Sequence, residues 1–247
     1  MWQWFLSLIT EALKWLHMYI GDWGLAIIVL TLIFRILLIP LNAKQIKSMQ
    51  EMQRVQPLMK ELQDKYKHDP EKLQAEMANF YKENKVNPLG GCLPSLLQMP
   101  IFIALFQVLR NTETFAGTGT PSFLNLIPNL SLTPGAVWSD GGIMAVLPYA
   151  VLVALGAVAT FIPQLLTNPD NKQSKTIGGY MSLMMLWFGW ISPAGVVLYW
   201  VSSNLFGALQ QWITMRLMKK EEETPAVVEV TPVSVEKKSK QQKSKKK

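Results

Sequence analysis

The chain has 247 residues, of which 49% are hydrophobic and 17% charged, with a net charge of +7 and a mean hydropathy of +0.17. Several runs of about 17–20 residues carry almost no charge, which excludes an ordinary soluble domain and points to membrane spans. A single cysteine, Cys92, rules out a disulfide framework within the chain and argues against a cysteine-based metal cluster, and His17 and His68 have no ligand-like companions. No metal or cofactor is expected.

The apolar runs are too long for strands and lack period-2 alternation. In lipid, a backbone must satisfy its hydrogen bonds within its own segment, which favours helices. The expected fold class is therefore all-α: a polytopic membrane protein with five transmembrane helices, a cytoplasmic helical hairpin and an N-terminal interfacial helix.

Residues 1–22 lack a basic leader region, and Glu11, Lys14 and His17 interrupt their apolar stretch. Trp2, Trp4, Trp15 and Trp23 suit an amphipathic helix at the outer membrane interface, where indole rings prefer to sit. A five-helix core is expected over 23–217, with spans at 24–41, 93–109, 143–166, 177–192 and 194–213. The fourth, at 16 residues, would span roughly 24 Å and calls for local thinning or burial among neighbours. Within the core, 44–87 reads as a hairpin, with Asp69 capping and Pro70 opening its return arm. That hairpin carries nine basic and seven acidic residues, and the two readings of it are a solvated pair of helices or a surface for a partner or lipid. Residues 218–247 read as a disordered basic tail, its last 11 residues holding seven lysines. Such a tail could touch anionic lipid or ribosomal RNA through phosphates.

Of the 24 Lys and Arg, nine lie between Lys44 and Lys85, two are Lys172 and Lys175, and ten run from Arg216 onward. By the positive-inside rule these segments face the cytoplasm, which places the N-terminus outside and the C-terminus inside a cell membrane.

Arg35 stands inside the first apolar run. An arginine at that depth costs about 2.5–3.5 kcal/mol even on the lenient insertion scale, so a functional role is the default and snorkelling the bland alternative. Thr31 shares its helical face one turn earlier. Other spans carry Gln98, Gln107, Gln164, Ser182, Trp200, Ser203, Asn204, Gly207 and Gln211. No Asp or Glu falls within the five expected spans, so Arg35 has no membrane-embedded carboxylate there. Water or a passing substrate carboxylate must supply its counter-charge, which implies a hydrated cavity open toward the cytoplasm.

The strings Thr31-Leu-Ile-Phe-Arg35, Asn87-Pro88-Leu89-Gly90-Gly91-Cys92-Leu93-Pro94, Gln98-Met99-Pro100-Ile101-Phe102 and Pro193-Ala194-Gly195-Val196-Val197-Leu198-Tyr199-Trp200 continue to Asn204-Leu205. Together they resemble the YidC-type membrane protein insertases, from Gly24 to about Arg216. The resemblance is to the short bacterial form, since neither a further span nor a large extracytoplasmic domain precedes residue 24. It implies five helices around a hydrophilic groove open to cytoplasm and lipid, with Arg35 as the groove arginine and Thr31 one turn before it. Trp200 is then an aromatic in contact with substrate and Gln164 the glutamine of span three; Gln98 and Ser203 complete the expected site.

The implied activity is insertion and folding of single- and double-spanning membrane proteins, without enzymatic chemistry. The expected partners are nascent membrane proteins, membrane lipids, the ribosome through the basic tail and the Sec translocon, with no DNA. Two rival readings are an assembly chaperone that moves no tails across the membrane and a small transporter. The transporter reading lacks a repeated hydropathy pattern and a membrane carboxylate to relay protons.

Overall fold

Gly21 and Asp22 turn the chain from its first helix into its second. α1 (Trp2–Ile20) ends where Gly21 adopts a left-handed conformation (φ 77°, ψ 0°) and donates its N–H to the His17 carbonyl, a closure glycine makes without a Cβ penalty. Asp22 caps α2 (Trp23–Leu37) by accepting from the Leu25 N–H at 2.8 Å. Its second oxygen accepts from the Leu124 N–H at 2.7 Å. This computed structural model describes residues 1–84, 86, 93–111, 115, 119–167 and 172–222. Among them are eight helices and, besides these, one isolated bridge between Phe123 and Ile127.

The first helix of the apolar run is shorter than the expected span 24–41. α2 stops at Leu37, and α3 (Ile39–Lys65) leaves it at a bend of 65°. Pro40 in the first turn of α3 has no N–H for the α2 ladder, and its ring clashes with a carbonyl one turn back, so the helix cannot continue straight. Ile39 to Leu41 therefore belong to the first arm of the hairpin. α3 runs on through Pro57. The return arm, α4 (Pro70–Glu83), starts as expected, with Asp69 accepting from the Lys72 N–H at 3.2 Å and Pro70 at the first position. Ile46 and Phe80 are the buried apolar residues within these two arms.

α5 (Leu93–Arg110) and α6 (Pro134–Thr167) follow. Gly142, at φ 68° and ψ −165°, breaks α6, so its straight apolar part starts at the expected residue 143. α6 and α7 (Lys172–Ile191) lie antiparallel and close together. A Cβ on Gly178 would meet Gln164 at 3.0 Å, and one on Gly189 would meet Val153 at 3.0 Å. Small residues allow such approach where helices gain nothing from excluding water. α7 holds 20 residues rather than the 16 of its apolar stretch, about 30 Å of rise, so its helix alone needs no thinning of the bilayer. Lys172 and Lys175 stand in its first turn. α8 (Ala194–Glu222) continues past the expected end of the core; the tail beyond it, and the segment 87–92 containing Cys92, lie outside the described residues. The unit formed by residues 1–215 contains everything described below.

The connection 119–133 closes one end of that unit. Its Leu130 and Leu132 carbonyls accept from the Gly195 and Ala194 N–H groups at 2.8 and 2.9 Å, which satisfies donors that the start of α8 would otherwise leave orphaned. The Tyr149 hydroxyl accepts from the Asn129 N–H and donates to the Asn129 carbonyl. Beneath this cover Trp23, Ile27, Leu105, Leu109, Val196 and Val197 are all buried in one dry core, with Ile9 and Leu13 of α1 packed against it.

The outward faces are apolar. Ile143, Leu147, Val151, Leu155 and Val158 form an exposed row along α6, and Tyr180, Leu183, Met184 and Trp187 form another on α7. Continuous patches of that kind suit lipid rather than water. By length and composition alone, the described helix Pro134–Leu166 could cross a membrane, and the bent pair α2–α3 could supply a second crossing. α5 adds a shorter apolar stretch, Gln98–Arg110.

Asp69 supplies a pH test of the hairpin. The hydrogen bond to the Lys72 side chain, reinforced by the Lys72 backbone N–H, holds its carboxyl below the usual carboxylate range. A depressed folded value means that capping is fully present above the unfolded value near pH 4 and is lost as pH falls through the folded one. Amide exchange over residues 71–74, corrected for intrinsic rates, should therefore accelerate on acidification below about pH 4. Asp69→Asn should keep the cap and lose the pH response, whereas Asp69→Ala should fray the arm at neutral pH.

Candidate functional site

The last turn of α2 carries Arg35 to the edge of the dry core, facing α8. Its Nε and Nη2 both donate to Ser203 Oγ, at 3.2 and 2.8 Å. Two donations to one hydroxyl leave the rest of a five-donor fork for other acceptors. The guanidinium borders a cavity of about 240 Å³ lined by residues of α2, α3, α5, α6, α7 and α8. Gln98, Gln164, Asn42 and Asn204 face it together with Thr160 and Trp200, and no carboxylate is among its lining residues. Polar groups of α5, α6 and α8 that would be costly against lipid are thus turned inward to a shared chamber.

Hydrogen bonds fix the chamber's walls. The Gln98 amide donates to the Tyr199 hydroxyl and, at 3.5 Å, to Ser203 Oγ. The Trp200 indole N–H donates to Thr160 Oγ1 at 2.9 Å, and that hydroxyl donates to the Gly156 carbonyl at 2.8 Å. The Trp200 ring also meets Phe102 edge-on, with centroids 5.6 Å apart. Trp200 is thus oriented through both its polar and apolar parts, an arrangement that suits a contact surface. At the elbow, the Asn42 amide donates to Gln210 Oε1 at 3.2 Å and ties the first turn of α3 to α8.

Of the six residues expected from sequence, Arg35, Gln98, Gln164, Trp200 and Ser203 line the one cavity. Thr31 does not. It is 1% exposed and its hydroxyl donates to the Ile27 carbonyl at 2.7 Å, within its own helix. Ser182 also stays out: its hydroxyl is buried with no partner among the described residues. Sequence reasoning missed Thr160, Asn42 and the seat at Tyr199. Thr160 had a usable signal, since it precedes Gln164 by one helical turn. Asn42 had none, because the bend at Leu38 resets the helical phase between it and Arg35.

Among the described residues, a helical body with apolar outer faces and a cavity of polar side chains around an arginine marks the class of integral membrane proteins. The family model described as "60Kd inner membrane protein" matches residues 15–222. The membrane protein insertase YidC of Caldanaerobacter subterraneus subsp. tengcongensis is 39% identical over 213 residues, covering 85% of this chain and 93% of that one. That of Campylobacter jejuni is 38% identical over 85% of this chain but only 37% of its own length. A crystal structure of an active YidC insertase with its first transmembrane domain resolved superposes with a TM-score of 0.64 at 31% identity, covering 85% of this chain and 45% of the other. The chain therefore belongs to the YidC-type family of membrane protein insertases, which is not a family of enzymes.

The geometry separates Thr31 from the cavity residues in a measurable way. Thr31→Val removes a hydroxyl that bonds only to its own helix and strands no partner, so it should change the melting temperature of the detergent-solubilised protein by no more than about 1 kcal/mol allows. A loss several times larger would mean that this hydroxyl serves the chamber.

Proposed function

We propose that this chain inserts and helps fold single- and double-spanning membrane proteins, using the Arg35 chamber as a charged vestibule open to the cytoplasm. The observation that carries the reading is a guanidinium with spare donors in a polar cavity that lacks a carboxylate. The lysine and arginine distribution supports five crossings, with the N-terminus outside and the 44–87 hairpin and C-terminal tail inside. On that orientation the dry core and the 119–133 cover face outward, so the chamber is reachable from the inner side only.

A substrate's short extracytoplasmic tail, often acidic, enters the chamber first. A carboxylate about 4 Å from Arg35 is attracted by roughly 4 kcal/mol at an effective dielectric constant near 20. That is comparable to the cost of about 2.5–3.5 kcal/mol for placing an acid at membrane depth on the lenient insertion scale. The attraction lets a hydrophilic tail pause midway across. Gln98, Gln164 and Ser203 supply further hydrogen bonds, and Trp200 offers an apolar face beside them. The substrate's apolar helix then partitions into lipid along the exposed rows of the bundle, which supplies the driving force without a nucleotide. α1 lies at the outer interface with its tryptophans. The hairpin and the lysine-rich tail serve as docking surfaces for the ribosome, the Sec translocon or anionic headgroups.

The test is reconstitution in proteoliposomes with a dependent substrate carrying an acidic or a neutral tail. Arg35→Ala should slow the acidic-tailed substrate by about tenfold or more, the equivalent of losing at least one good charge contact. Arg35→Lys should fall between, keeping charge but losing the fork. Equal insertion of the acidic tail by Arg35→Ala and the unmodified protein would sink the electrostatic reading.

A further inference from the structure

A glycine in a helix interior costs about 0.8–1.0 kcal/mol relative to alanine, so one inside α8 calls for a local reason. Gly207 follows Ser203 by one turn and sits under the other side of the Arg35 guanidinium. A Cβ at Gly207 would lie 3.0 Å from Nη1, 3.1 Å from Nη2 and 3.2 Å from Cζ. All three distances are tighter than ordinary contact, and they involve the very end of the fork. Ser203 meanwhile holds the Nε–Nη2 side by two hydrogen bonds.

We propose that Gly207 is a positioning residue that sets the substrate specificity of the chamber: its missing side chain lets the Arg35 fork lie against α8 with its Nη1–Nη2 end open to an incoming carboxylate. The proposal deepens the reading of the chamber as a substrate site and rests on it. A Cβ at position 207 must shift the guanidinium a few tenths of an ångström off α8, straining its Ser203 bonds, and a larger side chain fills the space before the fork. Because the arginine side chain is flexible, it yields by changing rotamer rather than by disrupting the helix. The charge stays in the chamber; what is lost is its aim.

A size series tests this. Gly207→Ala, Gly207→Ser and Gly207→Val are reconstituted beside Arg35→Ala, each with the acidic- and the neutral-tailed substrate, and the melting temperature of each is recorded. Gly207→Ala should slow acidic-tail insertion by about threefold to tenfold, the equivalent of one displaced rotamer, with Gly207→Val slower still. Neutral-tail insertion should stay within about twofold, and the Ala variant should melt no lower than the unmodified protein, since alanine favours helix. In an Arg35→Lys background the series should flatten, because the slimmer lysine does not need the space. Parallel loss of both substrates together with a lower melting temperature would make Gly207 a mere packing residue and overturn the proposal. Unchanged acidic-tail insertion in the series, with Arg35→Ala defective, would overturn it while leaving the chamber reading intact. If Arg35→Ala does not distinguish the tails, the chamber reading and the proposal fall together.

Discussion

The bond from Arg35 to Ser203 organises the rest of the molecule. An arginine inside an apolar helix is expensive, and the usual remedies are a carboxylate or escape to the membrane surface. No carboxylate lines the cavity that Arg35 borders. The guanidinium turns inward, donates twice to one hydroxyl, and faces a chamber whose other lining groups are neutral. Polar side chains from α3, α5, α6 and α8 converge around that cation. The same convergence explains why these helices carry glutamine, asparagine and threonine where lipid alone would dictate leucine. It also explains the close seating of Arg35 over Gly207.

A chamber of this kind is useful only if it does not leak, and the two ends of the bundle are built differently. On the side of the α2 N-terminus, Trp23, Ile27 and Leu30 interlock with α5 and the start of α8, and the 119–133 connection is stitched over them by backbone bonds to Ala194 and Gly195. On the other side, α2 breaks at Leu38 and α3 swings away by 65°, with Leu38 and Asn42 bordering the cavity. Pro40 thus does more than end a helix. It turns the first apolar run into an elbow at the level of the charge, so that α3 leaves the bundle where the cavity begins.

Much of this was legible in the sequence. Uninterrupted apolar runs marked the helices, the Asp69-Pro70 pair placed the return arm to the residue, and Arg35, inside an apolar run, borders the one cavity described above. Five of the six expected site residues share one cavity because polar residues in spans have few places to face other than inward. The failures have physical causes. Thr31 shares a helical face with Arg35 by spacing, but its hydroxyl can bond back to its own helix, and helical periodicity cannot distinguish that from facing a cavity. α2 ends at Leu37, before the expected 41, because hydropathy does not register the ring of Pro40, and α7 starts ahead of the expected 177 because its polar first turn is helical all the same. Gly207 stood in the polar stripe of α8, yet only coordinates reveal what lies above an absent side chain.

Hydration of the chamber from one side is the claim on which everything else turns. It is measured most directly by Gln164→Cys, Asn204→Cys and Leu105→Cys, each in a Cys92→Ser background, labelled with a membrane-impermeant maleimide in sealed vesicles of either orientation. The account predicts that positions 164 and 204 label from the cytoplasmic side alone and that position 105, in the dry core, labels from neither. Labelling of 164 and 204 from the outer side, or from no side, would contradict it.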